Sequence, residues 1–181
     1  MTGGTDATDV EGQIDMLLKV VPSAKTVGIF YNSSEVNSEV QADQAKQALE
    51  AKGVKVEVAT VTSTNDVQQT MTSLAAKVDA IYLPTDNTVA STASTIGEIL
   101  QEAKVPAMGS DAAVIDATLF TYGVDYHAIG VQAGELAVKI LKGDKPADLP
   151  VEKPNTAAVT VNEEMATALG FDAETIKVLE K

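Results

Sequence analysis

IFYNSSEVNS (29–38) and IYLPTDNTVAS (81–91) decide how this chain folds. Each carries a run of β-type residues into a polar loop and then into a helix pattern. Each loop is rich in Ser, Thr and Asn and contains an acid. In an alternating α/β chain both loops fall at the carboxyl ends of parallel strands, the edge where open α/β sheets bind small molecules.

The same alternation extends in both directions. Apolar spacing predicts a helix over 10–21 (Ile14, Leu17, Leu18, Val21), with Asp9 as N-cap and Pro22 beyond its end. Strands are predicted over 26–31, 54–61, 78–84, 105–109, 118–124 and 156–161. Helices are predicted over 36–52, from Asn65 onward, and over 87–103, 128–142, 163–169 and 172–180, with a helical turn near 111–116. Gly53, Gly143 and Gly170 stand at helix ends, and residues 144–154 form a Pro-rich connector. β-α units recurring every 25–30 residues predict a three-layer αβα domain around a parallel, Rossmann- or flavodoxin-like sheet.

Composition narrows the function. The chain has 181 residues, 45% of them hydrophobic, with no apolar run near the roughly 20 residues of a membrane span. Its formal net charge of −13 opposes contact with nucleic acid or anionic membranes. All its basic residues are Lys, so an anionic ligand group would be held by hydroxyls, backbone N–H groups or Lys rather than by a guanidinium fork. It has no Cys and a single His, His127, which excludes thiol chemistry and a His-based metal cluster within one chain. No signal peptide is expected from MTGGTDATD.

Four strand-end loops are candidate sites. Asn32, Ser33, Ser34, Asn37 and Ser38 supply neutral donors and acceptors, and Glu35 a charge suited to an ammonium group. The helix behind them offers free N–H groups and a positive dipole end to a carboxylate. Such residues also collect at helix starts simply as caps, but a cap needs one of them and this loop has five. Thr85, Asp86, Asn87, Thr88 and Ser91 repeat the pattern, with Asp86 placed to meet an ammonium or hydroxyl. In GSDAA (109–113) Asp111 is equally readable as ligand group or cap, beside Gly109. In YGVDYH (122–127), Tyr122 and Tyr126 suit an aromatic wall, with Asp125 and His127 beside them. His next to an Asp also suggests acid–base chemistry, but no nucleophile-elbow Ser accompanies it. TSTND (62–66) echoes a flavin phosphate loop without its glycine. No cofactor, metal or enzymatic activity is expected.

Several of these stretches together resemble a known family. TVGIFYNSSEVNS (26–38), VDAIYLPTDNTVAS (78–91), TYGVDYHAIGVQAGELAVKILKGDKPAD (121–148) and VTVNEEMATALG (159–170) are similar to the tryptophan/tyrosine-type ABC-transporter substrate-binding proteins. The resemblance implies one lobe, residues 4–181, of a type I periplasmic-binding-protein fold. It implies a ligand such as an aromatic amino acid, an ABC permease as partner, and an extracytoplasmic parent protein, periplasmic or lipid-anchored. Family members are longer, and TGGTDATDVEGQ (2–13) resembles their entry into the second lobe. By position, their ligand surface falls on Asn32–Asn37, Thr85–Thr88 and Asp111, with Tyr122, Asp125 and Tyr126 near the hinge or opposite wall.

In that family the segment 121–143 packs in the first lobe. Here strand 118–124 and helix 128–142 need another cover. Either the strand joins this sheet as a fifth member, the expectation for a monomer, or the segment exchanges into a swapped homodimer. Two other classes stand beside a solute-binding lobe. One is a flavodoxin-like enzyme or signalling domain, for which Asp86 lacks a matching strand-end Lys. The other is an isolated or engineered folding fragment with no activity of its own.

Overall fold

A computed structural model describes residues 2–153 and 157–179. In chain order the elements are β1 (Gly3–Gly4), α1 (Val10–Val20), β2 (Thr26–Asn32), α2 (Val36–Ala51), β3 (Lys55–Val61), α3 (Val67–Ala75), β4 (Ala80–Leu83), α4 (Asn87–Ser91), α5 (Ala93–Ala103), β5 (Ala107–Gly109), β6 (Phe120–Val124), α6 (Tyr126–Leu141), β7 (Val151–Glu152), β8 (Ala157–Val161), α7 (Glu163–Leu169) and α8 (Ala173–Val178). Short 3-10 turns occupy Thr64–Asp66 and Ala112–Ala117. Thr156 and Glu180, the predicted first residue of the last strand and last residue of the final helix, lie outside the described residues.

Six strands form the main sheet in the order β3-β2-β4-β5-β6-β8. The period-two alternation of side chains divides its core into two layers. Val27, Ile29, Tyr31, Ala80, Tyr82, Met108 and Phe120 pack with α1, α2, α7 and α8. Phe30, Ile81, Leu83 and Ala107 pack with α3, α5 and the 112–117 turn. The three-layer αβα architecture read from the sequence is therefore present. Strands β2 to β6 are parallel, and β8 is antiparallel to β6.

The structure differs from the sequence reading in several places. The helix expected over 87–103 is two helices, because Thr92 leaves helical geometry (φ −117°, ψ 15°) while its hydroxyl donates to the Thr88 carbonyl oxygen at 2.8 Å. Helix α6 starts at Tyr126 because the Asp125 carboxylate accepts from the N–H groups of His127 and Ala128. Val40, an apolar residue within the helix predicted over 36–52, is half exposed, and α2 buries Ser38, Ala42, Ala45 and Leu49 instead. Last, β1 and β7 form a small parallel pair that no periodicity announces.

That small pair positions α6. Strand β6 lies in the main sheet, paired on both sides. Helix α6 lies against β1 instead, where Ile129 meets Gly4 and the Lys139 ammonium stands 3.8 Å from the Glu152 carboxylate. Only Leu136 of α6 is buried, while Val131, Val138 and Leu141 are 48%, 48% and 87% exposed.

Lys104 ends α5 in the left-handed region (φ 55°), the one non-glycine residue there among those described. A Cβ in that conformation costs roughly 1 kcal/mol. Lys104→Gly should therefore stabilise the fold by about 0.5–1 kcal/mol and raise Tm by about 1–4 °C, read by thermal unfolding.

Candidate functional site

The chain leaves β2 first to one side, toward β3, and then to the other, toward β4. The carboxyl ends of β2 and β4 thus flank the topological switch point, where an open sheet forms its crevice. Loop 33–35 and loop 84–86 are its two banks.

The banks are bonded to each other. Asp86 is 4% exposed. One of its carboxylate oxygens accepts from the Asn32 N–H at 2.8 Å and the other from the Val89 N–H at 2.9 Å, so it ties β2 to β4 and caps α4. Asn32 donates through its side chain to the Thr88 hydroxyl (2.7 Å) and accepts from the Ser34 N–H (2.8 Å). The Thr85 carbonyl oxygen accepts from the Asn37 amide and the Ser38 hydroxyl, both at 2.9 Å. The Thr85 N–H donates to the Gln41 side chain (2.9 Å). The Thr85 and Ser110 hydroxyls stand 3.0 Å apart.

Glu35 reaches across the crevice. Its carboxylate accepts from the N–H groups of Asn87 (3.0 and 3.1 Å) and Thr88 (3.2 Å), the Asn87 amide (2.9 Å) and the Thr88 hydroxyl (3.4 Å). Partial burial alone would raise its pKa. The Asn87 and Thr88 donors outweigh that and hold it below the usual carboxylate range. Both acids expected to meet a ligand ammonium therefore sit at the start of α4, with their oxygens already engaged.

The consequence lies at α2. Glu35 does not cap its own helix. Among the described residues, the N–H groups of Val36, Asn37 and Ser38 have no partner. The exposed Ser33 and Ser34 precede them in the chain. This is the start of a 16-residue helix at the switch point, suited to an anionic group.

The ends of β5 and β6 hold the second group. Asp111 caps the 112–117 turn through the Ala113 N–H (2.7 Å). The half-exposed Tyr126 stands beside Asp111 and Asp6. Its phenol is pushed up to about 12, first by burial and then by those two carboxylates. Asp125 is occupied as the cap of α6 and engages backbone, not the His127 ring. Gly123 allows β6 to approach β5, since a Cβ there would run into the Ser110 carbonyl oxygen. Tyr122 does not join either group and packs on the α1 side of the sheet.

The structure thus brings Asn32, Ser33, Ser34, Glu35, Asn37, Thr85, Asp86, Asn87 and Thr88 together, with Asp111 adjoining them through Ser110. Sequence reading missed Ser110, Gln41 and Gln13. Ser110 stands inside the GSDAA stretch. Gln13 interrupts the apolar stripe of α1, four residues before Leu17, and a polar residue in a core position was the available signal.

An α/β lobe with polar, mutually bonded loops at its switch point is the architecture of a solute-binding domain. The chain belongs to the ABC transporter substrate binding protein family, whose model matches residues 1–179. It is 30% identical to a tyrosine-binding protein of Clostridioides difficile over 183 residues, covering 99% of this chain and 53% of that protein. It is similar to the ABC domain from Streptococcus pneumonia solved in complex with L-Trp (37% identity, TM-score 0.83, covering 97% of this chain and 62% of that one). A ligand-free, open substrate-binding protein with adhesive properties from Clostridium difficile is also similar (37% identity, TM-score 0.81, covering 94% and 58%). The chain spans about half the length of the curated relatives it matches. None of its described helices is long and apolar enough to cross a membrane.

Two outcomes follow for the crevice. Asp86→Ala strands two buried N–H groups and should cost about 3 kcal/mol in urea unfolding. Glu35 has a folded pKa below its unfolded value, so its contribution is present above about pH 4.5 and is lost as pH falls through the folded value. Wild type should therefore lose more stability than Glu35→Gln between pH 5 and pH 3, measured by unfolding at each pH.

Proposed function

We propose that this chain supplies one wall of a cleft that binds an aromatic amino acid without chemical change, for delivery to an ABC permease outside the cytoplasm. The observation that carries this reading is the uncapped start of α2 at the switch point, just after Ser33 and Ser34. A ligand carboxylate fits there without any Arg. Asp111 and Tyr126, at the neighbouring strand ends, suit an ammonium group and an aromatic ring. The similarity to a tyrosine-binding protein and to a domain solved with L-Trp supports the choice of ligand class. One wall buries less of a ligand than a closed cleft, so the chain alone should bind weakly.

Calorimetric titration with L-tyrosine, L-tryptophan and L-phenylalanine tests this, on this chain and on a version extended to the relatives' full length. Heat with at least one of them, and none with arabinose, is expected. No heat with any in either version overturns the assignment. Asn37→Asp adds a test of the carboxylate position. The new carboxylate should weaken the ligand about tenfold, because it competes for the same N–H groups, and should lower stability by about 1 kcal/mol, because the amide that donates to the Thr85 carbonyl oxygen is lost.

A further inference from the structure

β3 is an outer strand of the main sheet, and its free edge is regular. Its residues pair with β2 in unbroken register, from Thr26 with Lys55 to Asn32 with Val61. The Lys55 N–H donates to the Lys25 carbonyl oxygen at 2.9 Å, and the Val61 carbonyl oxygen accepts from the Ser33 N–H at 3.0 Å. Backbone groups alternate sides along a strand, so the odd-numbered residues of β3 bond to β2. Val56, Val58 and Thr60 point their N–H and C=O groups off the sheet, where they have no partner among the described residues.

Nothing in the strand blunts this edge. No Pro or bulge interrupts it. Val56, Val58 and Thr60 stand in register with Val27, Ile29 and Tyr31, whose side chains pack toward α1 and α2, yet Val58 is 47% exposed. On the opposite face an open groove runs between Glu57, Ala59 and Val61 of β3 and Asp66, Ser73 and Lys77 beside α3. Neither flanking helix therefore overhangs the strand.

Register and charge both point to the occupant. A second β3, antiparallel and related by a two-fold axis at Val58, satisfies the whole edge. Val58 then faces the partner's Val58, and Val56 faces the partner's Thr60. Every outward N–H and C=O is bonded, and the facing side chains on the α2 side are all β-branched, which suits cross-strand packing. The charged residues of β3, Lys55 and Glu57, are already bonded to each other at 2.7 Å, so neither enters the seam unpaired. The sheet is also polar along its strands. Lys55 and Lys77 stand at the amino end of the groove, and Asp66 stands at the carboxyl end. The two-fold axis turns one copy end for end and sets the lysine end of each groove against the acid end of the other. That complementarity lets a chain of net charge −13 meet itself.

We infer that the free edge of β3 is a self-association surface, on which two copies of this chain join their six-stranded sheets into one continuous sheet. Each copy keeps its own fold, unlike an exchange of 118–143. Three bonded residues a side make a small seam, so the pairing depends on concentration.

Light scattering from about 10 µM to about 1 mM should show the mass rising toward twice the monomer. A monomer mass throughout overturns the inference. Val58→Pro removes an N–H that points off the sheet, and Val58→Lys places a charge on the two-fold axis. Each should weaken association at least tenfold. Val58→Lys leaves the backbone alone and decides the matter if Val58→Pro does not fold. Unchanged association in Val58→Lys assigns the contact to another surface, α6 included, and overturns the inference.

Cross-linking reads the register, since the chain has no Cys of its own. Glu57 faces the partner's Ala59 as a non-hydrogen-bonded pair, with Cα atoms about 4.5 Å apart and within disulfide reach. Like residues at 57, or at 59, lie diagonally across the seam at roughly 7–8 Å. An oxidised mixture of Glu57→Cys and Ala59→Cys chains should give at least fivefold more disulfide dimer than either chain alone. Equal yields, or no dimer in the mixture, overturn the pairing.

Discussion

β2 and β4 share only three paired positions, Val27 with Ala80, Gly28 with Ile81 and Ile29 with Tyr82. Two aspartates complete this short central seam. At the amino end, one oxygen of Asp79 accepts from the N–H groups of Lys25 and Thr26, both at 2.8 Å. At the carboxyl end, Asp86 accepts from Asn32 and Val89. A charged acceptor on a backbone N–H is worth roughly 1.5–3 kcal/mol, more than a neutral ladder bond. The two carboxylates thus set the separation of the strands on either side of the switch point. The reach of Glu35 to α4 and the free start of α2 follow from that separation.

The order of strands and helices was legible in the sequence because side-chain period is a local property. TVGIFY at period two and the apolar stripe of α1 each report their own backbone. Strand direction is not local, and nothing in AAVTV distinguishes β8 running antiparallel to β6 from a further parallel strand. The two-residue strands β1 and β7 are too short to show any period. The location of the site was legible for the same reason as the fold, since polar loops after buried strands mark the carboxyl edge. The division of labour within it was not. A Glu and an Asp in strand-end loops read alike as ligand groups or caps. Which they are depends on whether a helix start lies within reach, a fact of the folded chain. Glu35 makes the point: its sequence position suggests the cap of α2, and its carboxylate sits at α4.

Helix α6 is the place where pattern and packing disagree. Its sequence, YHAIGVQAGELAVKIL, has enough apolar residues to bury a face, yet Leu136 alone is buried. Its N-terminus is well determined by Asp125, and its flank is held by β1 through Gly4 and Ile129. The rest of the apolar surface is open. A helix whose ends are fixed but whose face is uncovered is set by its connections rather than by its core. The crossing at Tyr122–Asp125 therefore sets where α6 stands, and the Gln13 amide donates to the Tyr122 carbonyl oxygen at which that crossing begins.

Charge along the sheet sharpens what the crevice can accept. Lys25, Lys55, Lys77 and Lys104 stand just before or at the starts of β2, β3, β4 and β5, at the amino edge. The loops after β2, β4, β5 and β6 carry Glu35, Asp86, Asp111 and Asp125 and no Lys. Three of these acids are spent on the starts of α4 and α6, cancelling the positive ends of those helices. Asp111 does the same for the 112–117 turn. Neither α2 nor α3 has an acid bonded to its start, and of the two the start of α2 is the one at the switch point. A group with one negative charge can be held there by backbone N–H groups and serine hydroxyls. A phosphate, with its second charge, would face four carboxylates and no cation. The arrangement thus favours a zwitterion over a dianion, and it does so through what the acids have already bonded rather than through any residue reserved for the ligand.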